Sequence, residues 1–285
     1  PIFFFEISMA ENYEKIAKVG EGSFGMVYKM RHVDGTVYAV KRIKMGKMED
    51  GVSTAALDEI RALQGLRHEN IISLHDVFIR SDSHGIGSIS LVFEFMEADL
   101  DQLIFSRAEG GAEGCPGNVP LPAPVVKSIA ELILRGLYAL HSRGMLHRDL
   151  KPGNIMLSSR GDVKLADMGL VRDFREEDRT FSPMAFTLRY RPLELLLGAT
   201  QYGPEVDIWS FGCVLAELLE RRPLFAGESE LAQINVITDL LGSPPEDAWP
   251  SVTVLNGDFR LKEKDPRDLS TALPTASREG RDLVA

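Results

Sequence analysis

The sequence predicts an α+β protein with its strands gathered at the front and its helices behind. Three observations carry this reading. Residues 13–43 run in short β-patterned stretches broken by glycines, and residues 125–143 repeat apolar residues at helical spacing. Asp207 to Leu219 reads D-I-W-S-F-G-C-V-L-A-E-L-L, apolar nearly all round, as a buried helix would be.

At 285 residues the chain can form one large domain or two lobes and bury a core. A net charge of −10 argues against a nucleic-acid or membrane-surface partner, which would call for a basic face. No apolar run approaches the ~18 residues of a membrane span. The opening P-I-F-F-F-E-I-S lacks a basic start and is followed by acidic residues, which makes it a poor signal peptide. The chain opens on Pro1, and Met9 is read as a candidate translation start. Cys115 lies in a Gly/Pro-rich stretch and Cys213 in an apolar run, so neither a disulfide framework nor a metal site is expected, and a reducing compartment is the default.

Tyr13 to Met30 reads as strand, glycine turn, strand, with Gly20, Gly22 and Gly25 spaced as G-x-G-x-x-G. Dinucleotide-binding folds use the same letters but continue into a helix. Here the continuation is M-V-Y-K-M, which is β-like, so a nucleotide-binding oxidoreductase is excluded. A hairpin whose glycines let backbone N–H groups approach phosphates fits; a plain glycine hairpin is the competing structural reading. Val37 to Ile43 alternates as a strand that puts Ala39, Lys41 and Ile43 on one face. The spacing then predicts a helix over 53–66, with Ala56, Glu59, Ile60 and Leu63 on its inward stripe. A carboxylate there needs a cation, and Lys41 is the candidate. A strand I-S-L-V-F-E-F-M ends at Met96.

Residues 106–124 form a low-complexity insertion rich in Gly, Ala and Pro, expected as a mobile surface loop. A helix over 125–143 is closed by Gly144. Leu146 to Asn154 then reads L-H-R-D-L-K-P-G-N, placing Asp149, Lys151 and Asn154 within nine residues. Val163 to Gly169, V-K-L-A-D-M-G, adds Asp167, and two short strands at 154–158 and 163–167 flank S-R-G-D as a hairpin. A carboxylate that can take a proton, an ammonium for phosphate and an Asn–Asp pair for a divalent ion are what phosphoryl transfer needs.

In this order and spacing the motifs resemble the catalytic core of the eukaryotic protein kinases, from about Tyr13 to Pro250. The resemblance implies a bilobal fold: an N-terminal extension 1–12, a small antiparallel β lobe with one helix at 13–96, and a larger, mainly helical lobe at 97–285 that carries the insertion. It implies ATP and Mg2+, with Asp149, Lys151, Lys41, Glu59 and Thr187 catalytic and Asn154 and Asp167 as metal ligands. Nucleotide contacts would come from Val19, Gly20, Glu21, Gly22, Ser23, Phe24, Gly25, Met26, Val27, Ala39, Lys41, Phe93, Glu94, Met96 and Met156. Glu94 and Met96 would offer backbone hydrogen bonds to adenine, with Phe93 behind the pocket. K-P-G-N after Asp149 and Thr187 in F-T-L-R-Y-R are similar to Ser/Thr kinases, and His147 is read as packed rather than as an acid or base.

The run from Arg221 to Pro250 looks like the cyclin-dependent kinases, and S-L-V-F-E-F-M-E-A-D-L leans toward their transcription-associated and activating members. That implies a protein substrate, a cyclin-type subunit, proline preference supported by Arg191, and a nuclear or cytoplasmic location. Ser182 aligns with the activation-segment phosphosite, Thr180 is the second candidate, and Arg148 and Arg172 are its partners. Four departures stand out: Met168 for the usual Phe in D-F-G, S-T-A-A-L-D-E-I with Asp58 in the cyclin-contacting helix, Pro192-Leu193-Glu194 for A-P-E, and an end at Ala285, short of two family helices. The last leaves Glu194 without its usual arginine. The alternative function is a nucleotide-binding regulatory module, a pseudokinase without efficient transfer.

Overall fold

The computed structural model describes residues 10–22, 25–44, 54–82, 85–105, 120–175, 180–182, 185–245 and 261–285. Ser23, Phe24, Cys115, most of the 106–124 insertion and most of the N-terminal extension lie outside the described residues, as do the side chains of Ala56 and Asp58. The chain divides into two compact units, residues 1–98 with 156–171 and residues 99–155 with 172–285.

The first unit is built on β1 (Tyr13–Gly22), β2 (Gly25–His32), β3 (Val37–Lys44), β4 (Leu74–Asp82) and β5 (Gly85–Glu94), with helix α1 (Thr54–Gln64) between β3 and β4. The five strands form one antiparallel sheet in the order β1-β2-β3-β5-β4. Alternation sorts the faces of β3. Val40 turns into a core with Tyr13, Met30, Phe78 and Val92. Its neighbour Lys41 points the other way and meets Glu59 of α1. Tyr13 stacks on Phe78 with ring centroids 5.4 Å apart and donates its hydroxyl to Asp76 Oδ2 at 2.9 Å, so β1 is tied to β4 although other strands lie between them.

Residues 163–167 join this unit through backbone bonds far apart in sequence. β9 (Val163–Leu165) lies beside Ile71 and Ile72: Leu165 N donates to Asn70 O and Ile72 N to Leu165 O, both at 2.9 Å. The buried Asn70 side chain adds a bond from Nδ2 to Val163 O at 3.0 Å. The expected hairpin is present: Ser158 N donates to Asp162 O at 3.0 Å between β8 (Ile155–Leu157) and β9. Its strands are shorter than expected, and Asn154 lies instead in a 3-10 turn, Pro152–Asn154, where Pro152 interrupts strand bonding.

The second unit is mainly helical: α2 (Leu100–Phe105), α3 (Ala123–His141), α4 (Leu193–Leu196), α5 (Glu205–Glu220), α6 (Glu230–Leu241) and α7 (Arg278–Val284), with the short strands β7 (Met145–Leu146) and β10 (Arg172–Asp173) paired antiparallel. The short strand β6 (Ala98–Asp99) falls at the boundary between the units. α3 buries Val126, Ile129, Ala130, Ile133, Leu137 and Leu140, the stripe that its 3.6-residue period dictates. α5 buries residues around nearly its whole circumference, as its composition requires. It ends in Arg221 at φ 54°, whose Nε donates to Ile104 O at 2.8 Å. Ser229 caps α6, accepting from Ala232 N at 3.2 Å. The chain after residue 261 is fastened to α5: Glu220 Oε1 accepts from Thr275 N at 2.9 Å, Thr275 Oγ1 at 2.9 Å and Ala276 N at 3.2 Å. Among the described residues no helix is long and apolar enough to cross a membrane.

Candidate active site

The residues singled out in the sequence gather into two sets, one in each unit. In the first unit β1 and β2 pair up to Gly22 opposite Gly25, with Glu21 opposite Met26 and Gly20 opposite Val27. A register shift between Lys18 and Gly20 leaves Val19 unpaired and half exposed. The glycines do different work. A Cβ on Gly25 would lie 2.1 Å from the Arg42 carbonyl oxygen, and its φ is 154°, so only glycine lets these strands close. A Cβ on Gly20 would meet nothing within 4 Å. The requirement at Gly20 therefore does not come from packing within the protein, which is what a position approached by a ligand would show.

Lys41 sits on β3 opposite Val27 and Leu91, and Ala39 lies opposite Phe93. Its Nζ contacts Glu59 Oε1 at 3.1 Å, Glu59 Oε2 at 2.8 Å and Asp167 Oδ1 at 2.8 Å. Burial works against the ammonium, but Glu59 and Asp167 outweigh it and hold the Lys41 pKa above the ordinary lysine value. Glu59 also accepts from the Met168 backbone N–H, and burial pushes its carboxyl up despite Lys41. Its side chain is only 3% exposed, whereas that of Asp167 is 35% exposed, so Asp167 is the carboxylate a ligand can reach. Asp167 holds φ 60°, ψ 67°, a left-handed conformation that Asp tolerates better than most side chains. Met168 is fully buried, filling the place of the usual Phe.

Phe93 and Met96 are buried. Glu94 is held by its side chain, which accepts from Ser73 N at 2.9 Å and pairs with Lys164 Nζ at 2.9 Å. Its amide donates to Ser73 O at 3.4 Å. Met156, on β8, is half buried.

In the second unit three side chains converge on Asp149. Its Oδ1 accepts from Thr187 Oγ1 at 2.6 Å and Thr187 N at 3.2 Å. Its Oδ2 accepts from Lys151 Nζ at 2.7 Å and Asn154 Nδ2 at 3.0 Å. Lys151 also reaches Thr187 Oγ1 at 3.1 Å, so one ammonium bridges two elements 36 residues apart. Asn154 Nδ2 donates again to Asp149 O at 2.8 Å, which directs its carboxamide oxygen away from that carboxylate. His147 is fully buried and accepts from Asp149 N at 3.3 Å, a packed residue as expected.

Sequence reasoning missed what supports this loop. Asp207, in the first turn of α5 and fully buried, accepts from His147 N at 2.8 Å, Arg148 N at 2.9 Å and His141 Nε2 at 2.9 Å. It fixes the backbone where Arg148 takes φ 69°, an unfavourable value for an arginine. The available signal was a lone aspartate opening an otherwise apolar helix. Tyr202 was missed too. Its hydroxyl and Arg148 Nη2 both donate to Ser182 O at 3.1 Å, and the Arg148 guanidinium lies 5.3 Å from the Phe181 ring centroid and 5.9 Å from that of Tyr202. Burial lowers the Arg148 pKa, though an arginine remains charged.

Arg191 is buried between Glu230 Oε1 at 2.6 Å and Phe186 O at 2.8 Å. Glu194 is half buried, and burial raises its pKa, with Glu205 adding repulsion. Thr180 and Ser182 are both exposed.

A buried lysine–glutamate pair beside a reachable carboxylate, and an aspartate wired to a lysine, an asparagine and a threonine, are the working parts of a phosphotransferase of protein-kinase type. Residues 13–284 match the protein kinase domain family. The chain is also 36% identical over 280 residues to cyclin-dependent kinase 7 of Dictyostelium discoideum, an alignment covering 96% of this chain and 74% of that protein. The chain belongs to the protein kinase family, and within it to the cyclin-dependent-kinase-like Ser/Thr kinases. It is an ATP-dependent protein kinase, and the reading as a non-catalytic module is not favoured. The family uses ATP with Mg2+.

Proposed function

We propose that this chain transfers the γ-phosphoryl group of ATP to Ser or Thr hydroxyls followed by proline, under control of a cyclin-type subunit. The observation that carries the reading is the wiring of Asp149. Thr187 occupies one oxygen, and Lys151 and Asn154 occupy the other, so the carboxylate is held in one orientation for an incoming hydroxyl. Asp149 orients that hydroxyl and takes its proton. Lys151 offsets charge on the transferring group, and Lys41, kept cationic by Glu59, holds the α- and β-phosphates. The glycine hairpin covers the phosphates, and residues 93–96 receive the adenine.

Asp167 and Asn154 are the proposed protein ligands for Mg2+. Among the described residues no group of three or more His, Cys, Asp or Glu could hold a metal. Asp167 and Asn154 would each offer a single side-chain oxygen group, which suits Mg2+ ions that keep waters and phosphate oxygens rather than a full protein cage. When bound, Mg2+ neutralises the developing phosphate charge.

Proline preference is supported by the contact between Arg191 and Phe186 O, which occupies the carbonyl that an ordinary residue's amide N–H at that place would seek. Proline has no such N–H to leave unpaired. The cyclin-type subunit is suggested by the name of the relative. Ser182, with Thr180 second, is the proposed phosphosite, near Arg148 and Arg172. A nuclear or cytoplasmic location suits an ATP-using enzyme with a buried free thiol at Cys213, and the acidic chain is not expected to bind nucleic acid. The lobes are proposed as 13–96 and 97–285.

The test is Mg2+-dependent transfer of labelled γ-phosphate to matched Ser-Pro and Ser-Ala peptides, with and without a panel of cyclins. The expected result is transfer that Asp149→Asn abolishes, favours Ser-Pro about tenfold or more, and rises with one cyclin. Transfer from neither protein, by chain shown to be folded and to bind ATP, would overturn the reading.

A further inference from the structure

We propose that Arg189 selects substrates, favouring a peptide that carries a carboxylate side chain close to the acceptor hydroxyl. This deepens the reading above: it rests on transfer at Asp149 and is independent of the proline preference. Arg189 lies in the 3-10 turn Leu188–Tyr190, directly after Thr187. Thr187 Oγ1 donates to Asp149 Oδ1 at 2.6 Å, so the turn starts at the carboxylate that receives the hydroxyl. Two residues of chain span at most about 7 Å, which keeps Arg189 beside the place where a peptide must lie.

The fold treats Arg189 and Arg191 oppositely. Arg191 is buried, with Glu230 Oε1 at 2.6 Å and Phe186 O at 2.8 Å. Arg189 is exposed, and its main chain is fixed from behind. Tyr190 N donates to Thr187 O at 3.0 Å, and Gln233 Nε2 donates to Arg189 O at 3.2 Å. Gln233 is itself buried and held through its Oε1, which accepts from Gly227 N at 2.8 Å. The backbone is thus set while the guanidinium is left to solvent. Among the described residues no hydrogen bond or ion pair takes up that guanidinium. Exposed arginines elsewhere find a carboxylate on the same chain, as Arg135 does with Glu131 and Arg160 with Asp162.

The nearest acid is already committed. Burial pushes the Glu217 carboxyl up, and the Arg189 charge works against that shift, so the two groups feel each other. Glu217 is nonetheless buried, and its Oε2 accepts the Tyr190 hydroxyl at 2.8 Å. Asp101, exposed on α2, is the other acid that acts on Glu217. A planar guanidinium, always charged and matched to the two oxygens of a carboxylate, therefore faces solvent where an acid on an incoming peptide can meet it.

The test measures transfer of labelled γ-phosphate by the full chain to an uncharged Ser-Pro reference peptide. Variant peptides carry one Glu at each position in turn within about four residues of the serine, the proline excepted. The expected result is that Glu at one or two positions lowers KM about threefold to tenfold with kcat little changed, and that the gain shrinks as salt is raised. Arg189→Lys keeps part of the preference, Arg189→Ala brings the ratio of the two peptides to about one, and Arg189→Glu favours Lys at the same position. Each ratio compares two peptides on one protein, so partial unfolding of a variant cancels, and the salt dependence is read on the parent chain alone. Transfer to the reference with no gain from Glu at any position, or a gain from Lys instead, overturns this proposal and leaves transfer at Asp149 standing. A gain that Arg189→Ala and Arg189→Glu both retain places the acid on another cation and overturns it equally. Transfer to no peptide, by chain shown to be folded and to bind ATP, overturns the reading at Asp149 and this proposal with it.

Discussion

Lys41 and Glu59 meet at 2.8 Å inside the first unit, and the same Glu59 carboxylate takes the Met168 amide, so one buried group holds a strand, a helix and the start of the 168–170 turn together. Removing its charge tests function apart from folding. Glu59→Gln keeps size and hydrogen-bonding capacity but frees Lys41 to settle on Asp167 alone. We expect transfer to fall about 10²-fold, the scale of losing one preorganised electrostatic contact. The melting temperature, followed by circular dichroism, should stay within a few degrees, because the variant also removes a carboxylate that burial already disfavours.

Asp207 serves two backbone amides and a histidine ring with one carboxylate. Asp207→Asn turns an acceptor into a donor facing N–H groups and should cost roughly 3 kcal/mol, a drop of about 6–12 °C in Tm. His141→Ala removes only one of the three partners and should cost about 1 kcal/mol. Equal losses from the two variants, in urea unfolding, would place the burden on the histidine instead.

The glycine hairpin allows a paired comparison. Gly25→Ala forces a Cβ onto the Arg42 carbonyl and should lower stability by about 1–3 kcal/mol. Gly20→Ala meets open space and should melt like the parent, while the KM for ATP rises. A normal KM in Gly20→Ala would remove the nucleotide from that part of the hairpin.

Glu194 carries a pH signature. Burial raises its pKa in the folded state above the unfolded value of about 4.3. A raised carboxylate pKa favours folding while the group is protonated, and that contribution is lost as pH rises through the folded-state pKa. Glu194→Gln should therefore stabilise the chain at pH 7 and make no difference below about pH 4. Equal Tm gains at both pH values would show that charge is not the cause.

Much of this was legible in the sequence because it is local. The alternation around Lys41, the inward stripe carrying Glu59, the glycine spacing and the nine residues from Leu146 to Asn154 each state their element and their chemistry within one or two turns of chain. The short strand pair flanking S-R-G-D was legible too, but its ends were not. Pro152 and the 3-10 turn shortened it and took Asn154 out of the strand.

What the sequence determined by itself was which groups exist and the backbone period that aims them: Lys41 away from the Val40 core, Glu59 inward, Asp149, Lys151 and Asn154 on one short loop. What only the tertiary structure decided was which groups meet across long stretches of chain. Thr187 reaches Asp149 from 38 residues away, Asp207 fixes the Arg148 backbone from 59 away, and Asp167 comes to Lys41 from 126 away. No local pattern encodes such contacts. They form because burial of the surrounding apolar surface brings polar groups where each must find a partner, and a partner's position is set by the whole fold rather than by its neighbours in sequence.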